Sequence, residues 1–227
     1  MHAALQHEPL TRSGEDYLKA IYRLSPAGRT ASTSEIAHRL ELSPASVSGM
    51  VKRLSEQGLL EHVPYKGVQL TADGRRAALR MLRRHRLIEA YLVAFLGYTW
   101  DTVHEEAERL EHAVSDKLVE RMAAVLGNPA VDPHGDPIPT PEGDIHEPAS
   151  IPLSEVPAGA RVEIRRVEEG QPERLRYIAS VGLRPGVHIR VLDRQPFQGP
   201  ITIEVAGRTH VIGNELGQVV RCASEQE

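Results

Sequence analysis

Residues 33–54 read Thr33-Ser-Glu-Ile-Ala-His-Arg-Leu-Glu-Leu-Ser-Pro-Ala-Ser-Val-Ser-Gly-Met-Val-Lys-Arg-Leu54, and their reading decides the fold. Thr33 to Leu40 predicts a short helix. Leu42-Ser43-Pro44 ends it and starts another, with Ser43 as N-cap and Pro44 at the first helical position, where its missing N–H costs nothing. The new helix turns Val47, Met50, Val51 and Leu54 inward and ends near Gly58. Upstream, residues 13–24 predict a helix capped by Ser13, with Tyr17, Leu18, Ile21, Tyr22 and Leu24 on its apolar face. Downstream, Leu59 to Val63 and Val68 to Leu70 predict short strands around Tyr65-Lys66-Gly67, a hairpin turn with glycine where positive φ is expected. Helix, helix, recognition-type helix and β-hairpin is the order of a winged helix-turn-helix.

The rest of the 227-residue chain holds more than one further unit. Thr71-Ala-Asp-Gly-Arg opens a long basic helix over about 72–96, broken by Gly97. A further single helix is expected from about Trp100 to Leu126, stopped by Gly127-Asn128-Pro129. Residues 128–160, rich in proline and glycine, read as a linker with little regular structure. Period-two patterns then appear at Arg161–Val167, His188–Leu192, Ile201–Val205 and Thr209–Ile212, with a short helix over about Pro172 to Val181. They predict a small β-barrel of about five strands. The expected class is α+β: a winged helix-turn-helix over 1–74, a helical domain over 75–140, a linker over 141–150 and a small barrel over 151–227.

The formal charge of −4 hides an asymmetry. Residues 1–90 carry 14 Lys and Arg against 9 Asp and Glu, residues 91–150 carry 3 against 12, and residues 151–227 carry 10 against 10. A basic front suits DNA, and an acidic middle needs cations or basic partners. One cysteine, Cys222, excludes an intrachain disulfide, fits a reducing cytoplasm and reads as a small buried hydrophobe. No run approaches the ~20 apolar residues of a membrane span. The 9 residues that are Phe, Trp or Tyr are few for single-strand binding by base stacking.

A recognition helix lies in the major groove of double-stranded DNA. Its exposed positions are Ser43, Ala45, Ser46, Ser48, Gly49, Lys52 and Arg53. Ser46 and Ser48 suit bases or phosphates, and Ala45 a thymine methyl. Lys52, Arg53 and the wing residue Lys66 suit phosphates. No Arg, Asn or Gln stands early in the helix, so much of the specificity is expected from indirect readout or site spacing. A winged helix serving only as a packing module is the plainer alternative.

His104, Glu108, Glu111 and His112 recur at i, i+4, i+7 and i+8. At about 100° per residue they fall within a sector of about 100° on one helix face. Two imidazoles and two carboxylates suit a divalent cation, although a charge-rich face is also an ordinary solvated one. His85 and Glu89 form a second i, i+4 pair, and Asp16 on the first helix could add an oxygen. On the opposite face Val103, Ala107, Leu110, Val114 and Leu118, with Met122 beyond, form an apolar stripe that suits either a dimer interface or intrachain core. His146, His188 and His210 read as surface or packing histidines, and His2 and His7 lie in the N-terminal tail.

The strings Gly14–Tyr22, Ser46–Leu54, Arg84–Glu89, Val103–Asp116 and Pro133–Pro139 together resemble the metal-dependent repressors of the diphtheria toxin repressor family, which includes iron and manganese transport regulators. The resemblance covers the front 140 or so residues and is weak beyond them. It implies a winged-helix domain, a helical dimerisation and metal domain and often a C-terminal SH3-like (FeoA-like) barrel. Carried over by position, a primary regulatory site falls on Asp16, Glu108, Glu111 and His112, and an ancillary site on His85, Glu89 and His104. Iron-responsive members hold cysteine and methionine at the positions of Glu108 and Asp16. Carboxylates there favour Mn²⁺ over softer ions. Manganese regulators of this pattern place a second acid where this chain has Lys19, so the ancillary arrangement is expected to be the iron type. Gln171 or Glu173 lies where iron-type members draw barrel ligands. The implied function is a cytoplasmic, homodimeric, Mn²⁺-dependent repressor of metal homeostasis, not an enzyme and with no small-molecule substrate or membrane partner. An Fe²⁺-responsive repressor is the near alternative, and a binuclear metallohydrolase the remote one.

Overall fold

The computed structural model describes residues 10–168 and 170–224; His2 and His7, with the outermost ends of the first and last expected domains, lie outside them. By its contacts the chain divides into two units, Met1–Arg84 with Pro139–Ile145, and His85–Ile138 with His146–Glu227.

The first unit opens with α1 (Arg12–Leu24). Its N-cap is Thr11 rather than Ser13: the Thr11 hydroxyl accepts the Gly14 N–H at 3.3 Å. Either hydroxyl suits a cap, and the chain is already helical at Arg12. α2 (Thr33–Leu40) starts with a capping box, in which Ser32 accepts from the Glu35 N–H and the Glu35 carboxylate accepts from the Ser32 N–H. Those backbone and hydroxyl bonds from Ser32, helped by Arg29, hold the Glu35 carboxyl at about 2. α3 (Pro44–Glu56) is capped by Ser43 with Pro44 in its first turn, as the sequence requires. β1 (Leu60–Val63) and β2 (Gly67–Leu70) pair antiparallel, Leu60 opposite Leu70. Leu18, Ile21, Ile36, Val47, Val51, Leu54 and Val68 close the core between helices and wing. Gly67 has φ 116°, and a Cβ there would stand 2.2 Å from the Ala31 carbonyl oxygen. No other residue fits, because Val68 and Ala31 exchange backbone hydrogen bonds beside it.

α4 (Ala72–Leu96) is one unbroken helix that begins in the first unit and continues in the second. After Gly97, at φ 74°, the expected single helix is two: α5 (Val103–Leu110) and α6 (Asp116–Val125). Ser115 is the reason. Its backbone is extended at ψ 151° and its side chain accepts the Leu118 N–H, which starts a new helix. Glu111 and His112 therefore stand on the turn between helices. The expected apolar stripe is split as well. Val103 and Ala107 are fully buried against Ile88 and Leu92 of the same chain, so they are core and not a face open to a partner.

The barrel holds β3 (Ile151–Pro152), β4 (Arg161–Val167), α7 (Pro172–Ser180), β5 (His188–Arg194), β6 (Ile201–Val205), β7 (Arg208–Ile212), α8 (Asn214–Val219) and β8 (Val220–Ser224). Its strands form one antiparallel sheet in the order β3-β8-β4-β5-β6-β7. The inward-facing alternate residues, such as Val162, Ile164, Ile189, Val191, Ile201 and Ile203, fill it, and Trp100 joins that core. Cys222 is buried there, and burial pushes its thiol up to about 12, so it is an inert hydrophobe. Among the described residues no helix is long and apolar enough to cross a membrane.

Candidate metal centre

The centre of the second unit is a buried imidazole between carboxylates. His85 lies on the inner face of α4 with no exposed surface. Its Nδ1 stands 2.6 Å from Glu111 Oε2, and its Nε2 3.0 Å from Glu89 Oε1 and 3.1 Å from His104 Nδ1. His104 Nδ1 also lies 3.1 Å from Glu89 Oε1, and its Nε2 3.6 Å from Glu108 Oε1. His112 Nε2 approaches Glu111 Oε1 at 3.4 Å. His85, Glu89, His104, Glu108, Glu111 and His112 thus converge in one unit, from α4, α5 and the turn after α5. Asp16 lies half-buried on α1 of the first unit.

Burial alone would lower the His85 pKa. The charge of Glu89 and the hydrogen bonds to Glu111 and Glu89 outweigh it and raise it to about 10. Without an ion, the imidazolium is the cation of this site. Glu89 is pulled the other way: its burial disfavours charge, but His85⁺ and hydrogen bonds from the surrounding histidines hold its carboxyl well below the usual range. One ligand atom from each of His85, His104 and Glu108 lies within 4.8 Å of the others, a separation that a divalent cation closes when imidazole protons leave.

A second donor set, which sequence reasoning missed, lies in the stretch read as a linker. Asp132, His134 and Asp136 are buried, and Asp132 and His134 come within 4.8 Å of Glu89 by one ligand atom each. His134 Nε2 donates to the Trp100 carbonyl at 2.7 Å. In the neutral ring, Nδ1 then turns a lone pair to Glu89 Oε2 at 3.7 Å, a repulsive pairing unless a proton or an ion lies between. Glu89 Oε2 and Asp132 Oδ2 are buried without a hydrogen-bond partner among the described residues. Burial, then the charges of Asp136 and Glu89, push Asp132 up to about 8. An imidazole and two buried carboxyl groups, one of them also 3.7 Å from Arg86 Nε, form a donor set of the kind that takes a cation. The only sequence signal was Asp-x-His-x-Asp among prolines, a string part of which carried the family resemblance but no assigned role.

Gln171 and Glu173 are exposed at the start of α7. Glu173 pairs with Arg176 at 2.8 Å, and neither joins the converging donors. On α3, Ser43, Ala45, Ser46, Ser48, Gly49, Lys52 and Arg53 are all exposed, as is Lys66 at the wing tip. The Ser48 hydroxyl donates to the Pro44 carbonyl at 2.9 Å, which leaves its lone pairs to face outward.

Known proteins match over the same regions. Residues 9–68 match the model of the iron dependent repressor N-terminal DNA binding domain, residues 71–140 that of the iron dependent repressor metal binding and dimerisation domain, and residues 151–223 that of the FeoA domain. The iron-dependent repressor IdeR of Mycobacterium tuberculosis is 33% identical over 225 residues, covering 93% of this chain and 97% of the relative. The diphtheria toxin repressor of Corynebacterium diphtheriae is 31% identical over 222 residues, covering 93% and 97%. Among solved structures, a manganese-dependent transcriptional repressor in complex with manganese superposes with a TM-score of 0.85 at 41% identity, covering 93% of this chain and 99% of that one. The manganese regulator SloR superposes at 0.76 and 35%, covering 95% and 100%. The chain belongs to the iron-dependent repressor family of metal-dependent transcriptional repressors, to which the diphtheria toxin repressor also belongs.

Proposed function

We propose that Mn²⁺ is the activating ion and that the protein is a cytoplasmic regulator, not an enzyme, that binds operator DNA as a homodimer. The observation that carries the choice of ion is the donor set. Glu89, Glu108, Glu111 and Asp132 supply oxygen, His85, His104, His112 and His134 supply nitrogen, and the sole cysteine is sealed in the barrel core. Carboxylate and imidazole without thiolate suit Mn²⁺ better than softer ions. The manganese-dependent repressors among the similar structures agree with that reading, while the iron-dependent relatives keep Fe²⁺ as the second reading. Asp16 is proposed as the further oxygen of the Glu108, Glu111 and His112 set.

When bound, the ion supplies the positive charge that lets the carboxylates share one site. The residues do the rest. His85 would hold the ion as the neutral ring, one nitrogen freed by loss of a proton and the other N–H still donating to the carboxylate beside it, and Glu111 and Glu89 would supply oxygen from either side of that ring. A helix-borne donor then moves only with its helix, so the ion biases the arrangement in which the α3 surface meets DNA. Such coupling is typically 1–3 kcal/mol, about 5–150-fold in operator affinity. The test is fluorescence anisotropy on DNA from the protein's own upstream region at fixed salt, with chelator, Mn²⁺, Fe²⁺ or Zn²⁺. Tight binding only with Mn²⁺ is expected. Equal binding in chelator would end the switch reading, and preference for Fe²⁺ would select the second one.

Glu108→Cys is expected to move the ranking of activating metals toward Fe²⁺ in the same assay, and an unchanged ranking would remove the selectivity argument. Asp16→Ala is expected to leave ion uptake largely intact by calorimetry while losing most of the metal-dependent gain in operator affinity. The dimer is proposed to use the exposed apolar side of α6, where Leu118 and Val125 stand two turns apart, 43% and 62% exposed. Leu118→Glu with Val125→Glu should turn a dimer into a folded monomer in sedimentation equilibrium. A dimer that survives both charges would place the interface elsewhere.

A further inference from the structure

The hairpin between β5 and β6 ends in a turn whose residues oppose its shape. The Gly199 N–H donates to the Pro196 carbonyl at 3.1 Å, and between them Phe197 and Gln198 both take φ 58°. Two left-handed residues inside such a bond are the mark of a type I′ turn, which Asn-Gly adopts at little cost. Phenylalanine and glutamine hold it against the crowding of their own Cβ atoms. The fold gains no burial in return, since Phe197 is 99% exposed. The base of the turn is braced: the Gln195 N–H donates to the Pro200 carbonyl at 3.1 Å, and its side chain to Asp193 Oδ2 at 2.8 Å. Strain held at a braced, exposed tip is an outlier of the kind found at ligand clamps.

Phe197 also lines a cleft of about 390 Å³ in the barrel, together with Ser154, Glu155, Arg194, Asn214 and Gln218. Ser154 stands on a single 3₁₀ turn, Leu153–Glu155, and is 2% exposed. Its hydroxyl is buried with no hydrogen-bond partner among the described residues, a state that costs stability unless something binds there. α8 closes tightly on that turn: a Cβ on Gly217 would stand 3.1 Å from the Ser154 nitrogen. None of these residues belongs to the converging metal donors.

We propose that this cleft binds a free purine nucleotide. A planar base stacks on the Phe197 ring, which a large bicyclic face suits best. The Arg194 guanidinium takes the phosphate, and the Glu155 carboxylate accepts from the ribose hydroxyls. The amides of Asn214 and Gln218 and the Ser154 hydroxyl can both donate and accept at the base edge. An apolar ligand would strand Arg194 and Ser154, and a bare anion would meet Glu155 and leave the ring unused.

The chain has two phenylalanines, so full-length protein grown with fluorophenylalanine gives two ¹⁹F resonances, and Phe197→Leu identifies one of them. Adenosine monophosphate, added with chelator so that no metal bridges it, should shift the Phe197 resonance saturably and leave that of Phe95 in place. Inorganic phosphate should move neither. In titration calorimetry Phe197→Leu should weaken the nucleotide at least about fivefold, the lower end of a lost base stack. Arg194→Gln should weaken it about tenfold, the loss of a charge-assisted bond, while adenosine binds as to wild type. A Phe197 resonance unmoved by millimolar nucleotide would overturn the proposal. So would an equal response to inorganic phosphate, nucleotide affinity unchanged in Arg194→Gln, or binding of oligodeoxyadenylate where the mononucleotide fails.

Discussion

Glu89→Gln is expected to cut metal-dependent operator affinity by about 100-fold and to lower the number of ions bound. The side chain is fully buried, and each oxygen faces a different part of the centre. Oε1 meets His85 and His104, and Oε2 meets His134. An amide keeps the shape but removes the charge that balances His85⁺ and places an N–H against nitrogen donors. Breaking a buried pair from one side typically costs 3–5 kcal/mol, because the remaining charge is stranded. The variant should therefore also melt earlier than wild type in chelator. Calorimetric stoichiometry and anisotropy read the two effects separately. Wild-type ion count and operator affinity in this variant would show that Glu89 is a structural counter-ion only.

Raising the pH from about 6 to 9 should destabilise the metal-free protein and should do so far less with Mn²⁺ present. His85, held at about 10, gives its full contribution below its ordinary 6.5 and loses it as pH climbs through 10. Asp132, pushed to about 8, is favoured as the neutral acid. Its contribution is complete below the ordinary 3.8 and disappears as pH rises through 8. Both groups thus act in the same direction across the neutral range, and their joint effect is on the order of a few kcal/mol. An ion replaces both protons, so the stabilisation by Mn²⁺ grows with pH. Melting temperatures at pH 6 and pH 8, with and without Mn²⁺, test the trend. Calorimetry in buffers of different ionisation heat should find between one and two protons released as the ions bind. A metal-free protein equally stable at both pH values would show that neither group titrates as the geometry requires.

Local signals in the winged domain were strong and came out as read. Ser43 followed by Pro44 fixed the start of α3, and Gly67 fixed the wing turn, because each position admits few alternatives. The cap of α1 was placed at Ser13, two residues late, because Thr11 carries an equally suitable hydroxyl and the chain is already helical at Arg12. The break between α5 and α6 was missed because apolar spacing runs smoothly from Val103 past Leu118. Only the Ser115 hydroxyl marks the new helix, and serine inside a helix is not rare enough to decide. His85, Glu89 and His104 were legible because i, i+4 spacing is a local geometric fact. Asp132 and His134 were not, since their burial depends on α4 and β4, distant in sequence, closing over a loop whose composition is that of an exposed linker. Val103 and Ala107 carried a correct apolar pattern, but a pattern cannot say whether the covering surface is the same chain or another.

α4 joins residues of the first unit to His85 and Glu89 without interruption. Each residue of a helix turns its successors by about 100° and moves them about 1.5 Å. A single insertion or deletion between His85 and Glu89 would turn one ligand about 100° away from the other while leaving every side chain chemically intact. Seven added residues would restore the angle to within about 20° but part the pair by two further turns. The stretch from His85 to Glu89 is therefore a fixed-length spacer. Its residue count cannot drift, and Leu87 and Ile88 within it are themselves buried.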